Sequence, residues 1–147
     1  MVSFRYALSP SIRMAGRPTA TLRTSTMLRL LIADDSDAVR TTAAEILTEM
    51  GFSVTQSPSA LDALAKSQAE LADVVIVDAG LDGALELIQS LRVLPGSSSL
   101  QIYYSVTKVD LRCLMAAKKA GATDFLLKPF DRKVLGAAFS TILALAA

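Results

Sequence analysis

Asp34-Asp35, Asp78, Ser105 and the Lys128-Pro129 pair each stand just past a short apolar run, LRLLIA, DVVIV, LQIYY and DFLL. Three carboxylates are costly to hold together in a core, where each loses its hydration. They are natural at the carboxyl edge of a parallel sheet, where the strand ends converge on one crevice. Carboxylate oxygens gathered there suit a hard divalent cation, and a lysine and a hydroxyl beside them suit an anion. Taken singly, each residue also has an ordinary reading. Asp34-Asp35 followed by Ser36 is a good helix N-terminus, Asp78 a turn aspartate, and Lys128-Pro129 a turn. Their order along the chain, each after a strand-forming run, favours one shared site.

The elements that must position them follow from the apolar pattern, which switches between runs of about five residues and stretches of helical period. Residues 28–33, 52–56, 73–77, 100–105 and 124–127 read as strands. Helices are predicted from Ser36 or Asp37 to residue 50, over 57–70, over 83–93, over 110–120 and over 131–146. In the first of them Val39, Ala43, Ile46, Leu47 and Met50 share a face, and Gly51 stands where a helix usually ends. Ser57-Pro58 is the expected start of the second, and Pro95 to Ser99 a loop. Five strands alternating with five helices predict an α/β domain, a parallel sheet covered on both faces.

The bulk numbers restrict the chemistry. A chain of 147 residues, 52% apolar and 20% charged, is long enough for one globular domain with a real core. Its formal net charge of +1 gives no electrostatic case for nucleic acid. There is no histidine, which excludes His-ligated zinc, a Ser-His-Asp triad and a phosphohistidine carried on this chain. The single cysteine, Cys113, excludes an internal disulfide and suits a reducing, cytoplasmic setting; it reads as a small buried or half-buried helical residue. No apolar stretch is long enough to span a membrane.

Charge is uneven along the chain. Residues 1–33 hold five arginines and no acid. With the four before Met27 set aside, the 15 basic residues become 11 against 14 acidic ones, a net −3 for the remainder. The head reads as an acid-poor targeting peptide, a basic interaction arm, or a stretch preceding a true start at Met27. The reading adopted is a flexible basic extension over residues 1–26, outside the fold and not necessarily in the mature protein, followed by one domain over 27–147.

Residues 27–147 resemble a response-regulator receiver domain, the phosphoacceptor half of two-component signalling. The resemblance is carried by LLIADDS at 30–36, VVIVD at 74–78, Ser105 after the fourth strand and AGATDFLLKPF at 120–130. It implies a flavodoxin-like, doubly wound five-stranded sheet of order 2-1-3-4-5, an order that periodicity does not give. It also implies that Asp78 accepts a phosphoryl group and that Mg2+ is the cofactor. Asp35 and Asp78 would be direct ligands, Asp34 would hold a coordinated water, and the Gly80 backbone carbonyl would complete the set. Lys128 would pair with the phosphoryl oxygens, ahead of a cis bond at Pro129. Ser105 and Phe125 would form the switch, with Thr107 as the competing hydroxyl.

One stretch departs from the family pattern. After the phosphoacceptor the family reads D-x-x-x-P-x-x-D-G, whereas here Asp78-Ala79-Gly80-Leu81-Asp82-Gly83 is shorter by about three residues and lacks the proline. With no repeat or further domain recognisable, output is expected through a surface made by the fourth helix, fifth strand and fifth helix. The last helix, VLGAAFSTILALAA, carries no charge after Lys133, which suits a partner or a homodimer. Arg112 and Lys118-Lys119 read as a solvated face.

The leading expectation is thus a stand-alone, cytoplasmic response regulator. It would be phosphorylated on Asp78 by a histidine kinase or histidine phosphotransfer protein and signal through a downstream protein. The alternative is a phosphorylation-independent, receiver-like adaptor, for which the short loop argues. A Mg2+-dependent phosphohydrolase is disfavoured, because Gly80 stands where its general acid-base would be, so the chain is not expected to be an enzyme. Flavin binding is disfavoured too, since Asp34-Asp35 would repel a phosphate without a metal.

Overall fold

The computed structural model describes residues 27–146, so the extension over 1–26 lies outside the described residues. In chain order the elements are β1 (Arg29–Ala33), α1 (Asp37–Met50), β2 (Ser53–Ser57), α2 (Ala60–Ala69), β3 (Val74–Asp78), α3 (Ala84–Arg92), β4 (Gln101–Val106), α4 (Leu111–Ala120), β5 (Asp124–Leu127) and α5 (Arg132–Ala146). All strand pairs are parallel, and the sheet order is β2-β1-β3-β4-β5. The flavodoxin-like arrangement expected from the resemblance is the one observed.

Alternation of side chains along each strand divides the interior into two cores. Leu30, Ile32, Val74, Ile76, Tyr103 and Leu126 face α1 and α5, where they meet Ile46, Leu47, Phe52, Leu135 and Phe139. Phe139 makes edge contacts with Phe52 and Tyr103, at centroid distances of 5.7 and 4.8 Å. Leu31, Val75, Val77, Ile102, Tyr104 and Val106 face the other way, onto the α2, α3 and α4 side. All five residues of β3 are buried, as a central parallel strand covered on both faces requires. Each fully buried Leu or Ile contributes about 1.5–3 kcal/mol.

The boundaries differ from the sequence expectations in small, explicable ways. Ser57 does not open α2: it ends β2, where its carbonyl accepts the Asp34 amide at 3.1 Å. Ser59 caps α2 instead, accepting from the Asp62 amide at 3.1 Å. Phe52 precedes β2 because its amide reaches back to the Leu47 carbonyl in the turn at Gly51, where φ is +116°. Asp110 caps α4, and the serines at 97–99 form a short 3-10 turn rather than an irregular loop. Cys113 is exposed, contrary to expectation. α4 touches the core through Ala117, with Leu114 and Ala120 partly buried, and Cys113 falls off that stripe. Among the described residues no helix is long and apolar enough to cross a membrane.

Candidate functional site

β1 and β3 are neighbours, so their last residues deliver Asp34, Asp35 and Asp78 to one point of the sheet edge. Each carboxylate offers an oxygen, and these oxygens lie within 4.8 Å of one another. Asp34 is 1% and Asp78 9% exposed, while Asp35 is open to solvent. Carboxylates this crowded and this buried need a cation, and Lys128 supplies one. Its Nζ donates to Asp34 Oδ2 and to Asp78 Oδ1, each at 2.6 Å.

Lys128 is placed by the end of β5, where its amide donates to the Val106 carbonyl at 2.8 Å. The Lys128-Pro129 bond is cis, as the resemblance implied. Burial pulls the Lys128 ammonium toward neutrality, but its hydrogen bonds to both carboxylates and their charge more than offset this. The net result is a pKa above the ordinary lysine value.

The other Asp78 oxygen, Oδ2, accepts the Gly80 amide at 3.1 Å. The shortened loop closes by two consecutive turns, with Leu81 N on Asp78 O and Ala84 N on Leu81 O, both at 3.0 Å. Leu81 is driven into the core and Gly83 takes a left-handed φ of +78°. A Cβ at position 80 would stand 3.2 Å from Asp78 Oδ2, so glycine there keeps the carboxylate uncrowded.

Ser105 is in register with Asp78 across β3 and β4, and Ala79 N donates to its carbonyl at 2.8 Å. Its side chain is completely buried, and its hydroxyl finds no partner among the described residues. Thr107, the competing hydroxyl, is exposed beyond the strand end. Phe125 is half-buried on β5, paired in register with Tyr104. Asp34, Asp35, Asp78, Gly80, Ser105 and Lys128 thus converge, while Phe125 lies further back along β5, in register with Tyr104. Tyr104 was not anticipated. Its phenol is pushed above the ordinary value by burial, with the Cys113 thiol and the Asp78 carboxylate adding to the effect.

A fully buried hydroxyl without a partner among the described residues, an ammonium and a triad of carboxylates at the carboxyl ends of a 2-1-3-4-5 sheet match a known pattern. The family model for the response regulator receiver domain matches residues 30–140. The chain belongs to the response-regulator receiver family.

The receiver is 29% identical over 114 residues to the transcriptional regulatory protein CseB of Streptomyces coelicolor, covering 78% of this chain and 48% of CseB. It spans about half the length of such curated relatives. Chemotaxis response regulator CheY4 of Vibrio cholerae superposes with a TM-score of 0.74 at 26% identity, over 79% of this chain and 98% of CheY4. A response regulator from Burkholderia pseudomallei, solved with a phosphorylated aspartic acid, calcium ion and citrate, superposes with a TM-score of 0.69 at 27% identity, over 80% of this chain and 69% of that one.

Proposed function

We propose that this receiver is a phosphorylation switch in which Asp78 is the phosphoacceptor. The observation that carries the reading is the juxtaposition at Asp78 itself. Its carboxylate sits within reach of two further carboxylates, 2.6 Å from a lysine ammonium, and in register with a buried hydroxyl that has no partner among the described residues. The Burkholderia response regulator, solved with a phosphorylated aspartic acid and a calcium ion, supports it.

The donor set is all oxygen, as Mg2+ requires. Asp35 and Asp78 would hold the ion directly, Asp34 through water, and the Gly80 carbonyl would complete the protein's share. When bound, the ion neutralises negative charge on the transferring group. The chain's own residues do the rest. An Asp78 oxygen attacks phosphorus in a phosphohistidine donor, the P–N bond breaks, and the imidazole leaves with the electron pair. Lys128 turns from the free carboxylate to the new phosphoryl oxygens. Ser105, whose hydroxyl is otherwise orphaned, donates to another of them. Phe125 then moves toward the space that Ser105 vacates.

The donor is a histidine kinase or histidine phosphotransfer protein, acting in the cytoplasm. A groove of about 520 Å³ between α1 and residues 128–130, walled by Val39, Thr42, Lys128 and Phe130, gives it an apolar approach to the site. Output leaves through the α4, β5 and α5 face to a downstream protein or a second copy. Leu111 and Met115 on α4, Leu127 on β5 and Leu145 on α5 are all exposed. The receiver acts as a signalling domain rather than as an enzyme.

The test is intact mass after incubation with acetyl phosphate and Mg2+, for wild type and Asp78→Ala. A single phosphate adduct on wild type, dependent on Mg2+ and absent from Asp78→Ala, is expected. A folded wild-type protein that takes no phosphate from acetyl phosphate or from a histidine kinase would sink the switch and leave the phosphorylation-independent adaptor.

A further inference from the structure

Arg40 has no part in that chemistry, yet it is the cation most closely engaged with the backbone that carries the acids. It lies on α1 with its side chain only 11% exposed. Its Nη1 donates to the Asp34 carbonyl at 2.6 Å, its Nη2 to the Asp37 carboxylate, and its Nε to Gln56 Oε1 at 3.3 Å. One planar fork therefore joins the β1–α1 turn, the first turn of α1 and the end of β2. Beside Gln56, the Ser57 carbonyl accepts the Asp34 amide. The Ser36 amide holds Asp34 Oδ1 at 2.9 Å and Lys128 holds Oδ2. Asp34 thus has a partner for its amide, its carbonyl and both carboxylate oxygens. Arg40 supplies the partner on the carbonyl, the atom from which the chain turns toward Asp35.

We infer that Arg40 is a positioning residue for the divalent-cation site: by gripping the Asp34 carbonyl it fixes the turn that aims the carboxylates of Asp34 and Asp35. The inference rests on the phosphoacceptor reading above. Its sign is what makes it testable. A guanidinium beside an acidic site opposes a second cation by charge, so removing it should tighten Mg2+ binding if charge is all that matters. Removing it loosens the turn and should weaken Mg2+ binding if positioning dominates, as loss of groups that orient metal ligands commonly does.

The experiment is calorimetric titration of the full chain with Mg2+ for wild type, Arg40→Ala and Arg40→Lys, with amide hydrogen exchange over residues 34–37 in the metal-free proteins. Arg40→Ala should raise the Mg2+ Kd about tenfold and speed exchange at those amides. Its rate of phosphate uptake from acetyl phosphate at saturating Mg2+ should stay near wild type. Arg40→Lys keeps the charge but not the fork, so it should weaken Mg2+ binding by about threefold; it carries the test alone if Arg40→Ala does not fold. An unchanged or tighter Kd in the folded variants overturns the positioning role and leaves the switch intact. Absence of Mg2+ binding by wild type overturns both.

Discussion

At the end of β1 every polar group of Asp34 has a partner, whereas two strands away the Ser105 hydroxyl is fully buried with none among the described residues. The helices that follow these two strands differ in the same sense. α1 buries Ala43, Ile46 and Leu47 and packs Val39 and Met50 against the core. α4 buries only Ala117 and leaves Leu111 and Met115 exposed. Chemistry at a phosphoryl group requires ligands already in place, and signalling requires an element weakly enough held to have two arrangements. On the function proposed above, the two demands would fall to the ends of β1 and β4, with Asp78 on β3 between them.

The largest test of this division is to remove the cation on which the fixed side depends. Lys128→Met leaves Asp34 and Asp78 buried and facing each other. Breaking one partner of a buried ion pair costs about 3 kcal/mol or more, so metal-free Lys128→Met should be less stable by about that much in urea denaturation. Added Mg2+ should recover part of the loss by binding the folded state. The pH dependence has a definite sign. The Lys128 pKa is raised on folding, so its contribution is complete below its ordinary value of 10.5 and fades as pH climbs through the folded-state value above that. The buried Tyr103 and Tyr104 phenols, also raised, weaken the fold in the same direction. Wild type should therefore lose more stability than Lys128→Met as pH climbs above 10.5. An equal loss would assign the whole effect to the tyrosines.

The slack helix has one fixed end, and the next prediction concerns it. Arg92 donates to the carbonyls of Gly121, Ser97 and Leu100 and to Thr123 Oγ1, all within 3.0 Å. Lys118 adds a bond to the Thr123 carbonyl at 2.8 Å. These bonds anchor the C-terminal end of α4, so the switch proposed above would have to act at its N-terminal end. Gly121 has φ +126°, and a Cβ there would lie 2.6 Å from Arg92 Cγ. Gly121→Ala should cost about 2 kcal/mol, by strain and by displacing the Arg92 fork. Gly51→Ala, with φ +116° but an ordinary 3.9 Å contact, should cost about 1 kcal/mol. Equal losses in denaturant midpoint would mean that the Arg92 anchor contributes nothing.

How far the sequence anticipated this follows the kind of group involved. Asp34, Asp35, Asp78 and Lys128 were legible because each follows an apolar run that reads as a strand, and parallel strands present their carboxyl ends together. The sheet order was not legible from periodicity, since any permutation of five buried runs gives the same pattern; it came with the resemblance. Arg92 was missed because three of its four partners are backbone carbonyls, and Arg40 because its partner at the site is the Asp34 carbonyl, and backbone groups leave no mark on the sequence. Cys113 was misplaced because α4 has so narrow a buried stripe that residue type gave no guide to the facing side.

The smallest expected effect is at Ser105, and its sign carries the argument. A buried hydroxyl without a hydrogen bond is a cost to the unphosphorylated fold, because it has left water for nothing. Ser105→Ala should therefore leave stability unchanged or raise it by up to about 1 kcal/mol, read as a shift in the urea midpoint with unchanged slope. The same variant should still take phosphate on Asp78, since the carboxylates and Lys128 are untouched, but its α4 amides should show little change in hydrogen exchange on phosphorylation. A loss of more than about 1 kcal/mol would mean that Ser105 already has a partner such as buried water. The contrast between a saturated Asp34 and an expectant Ser105 would then disappear, and the two-sided account of the site with it.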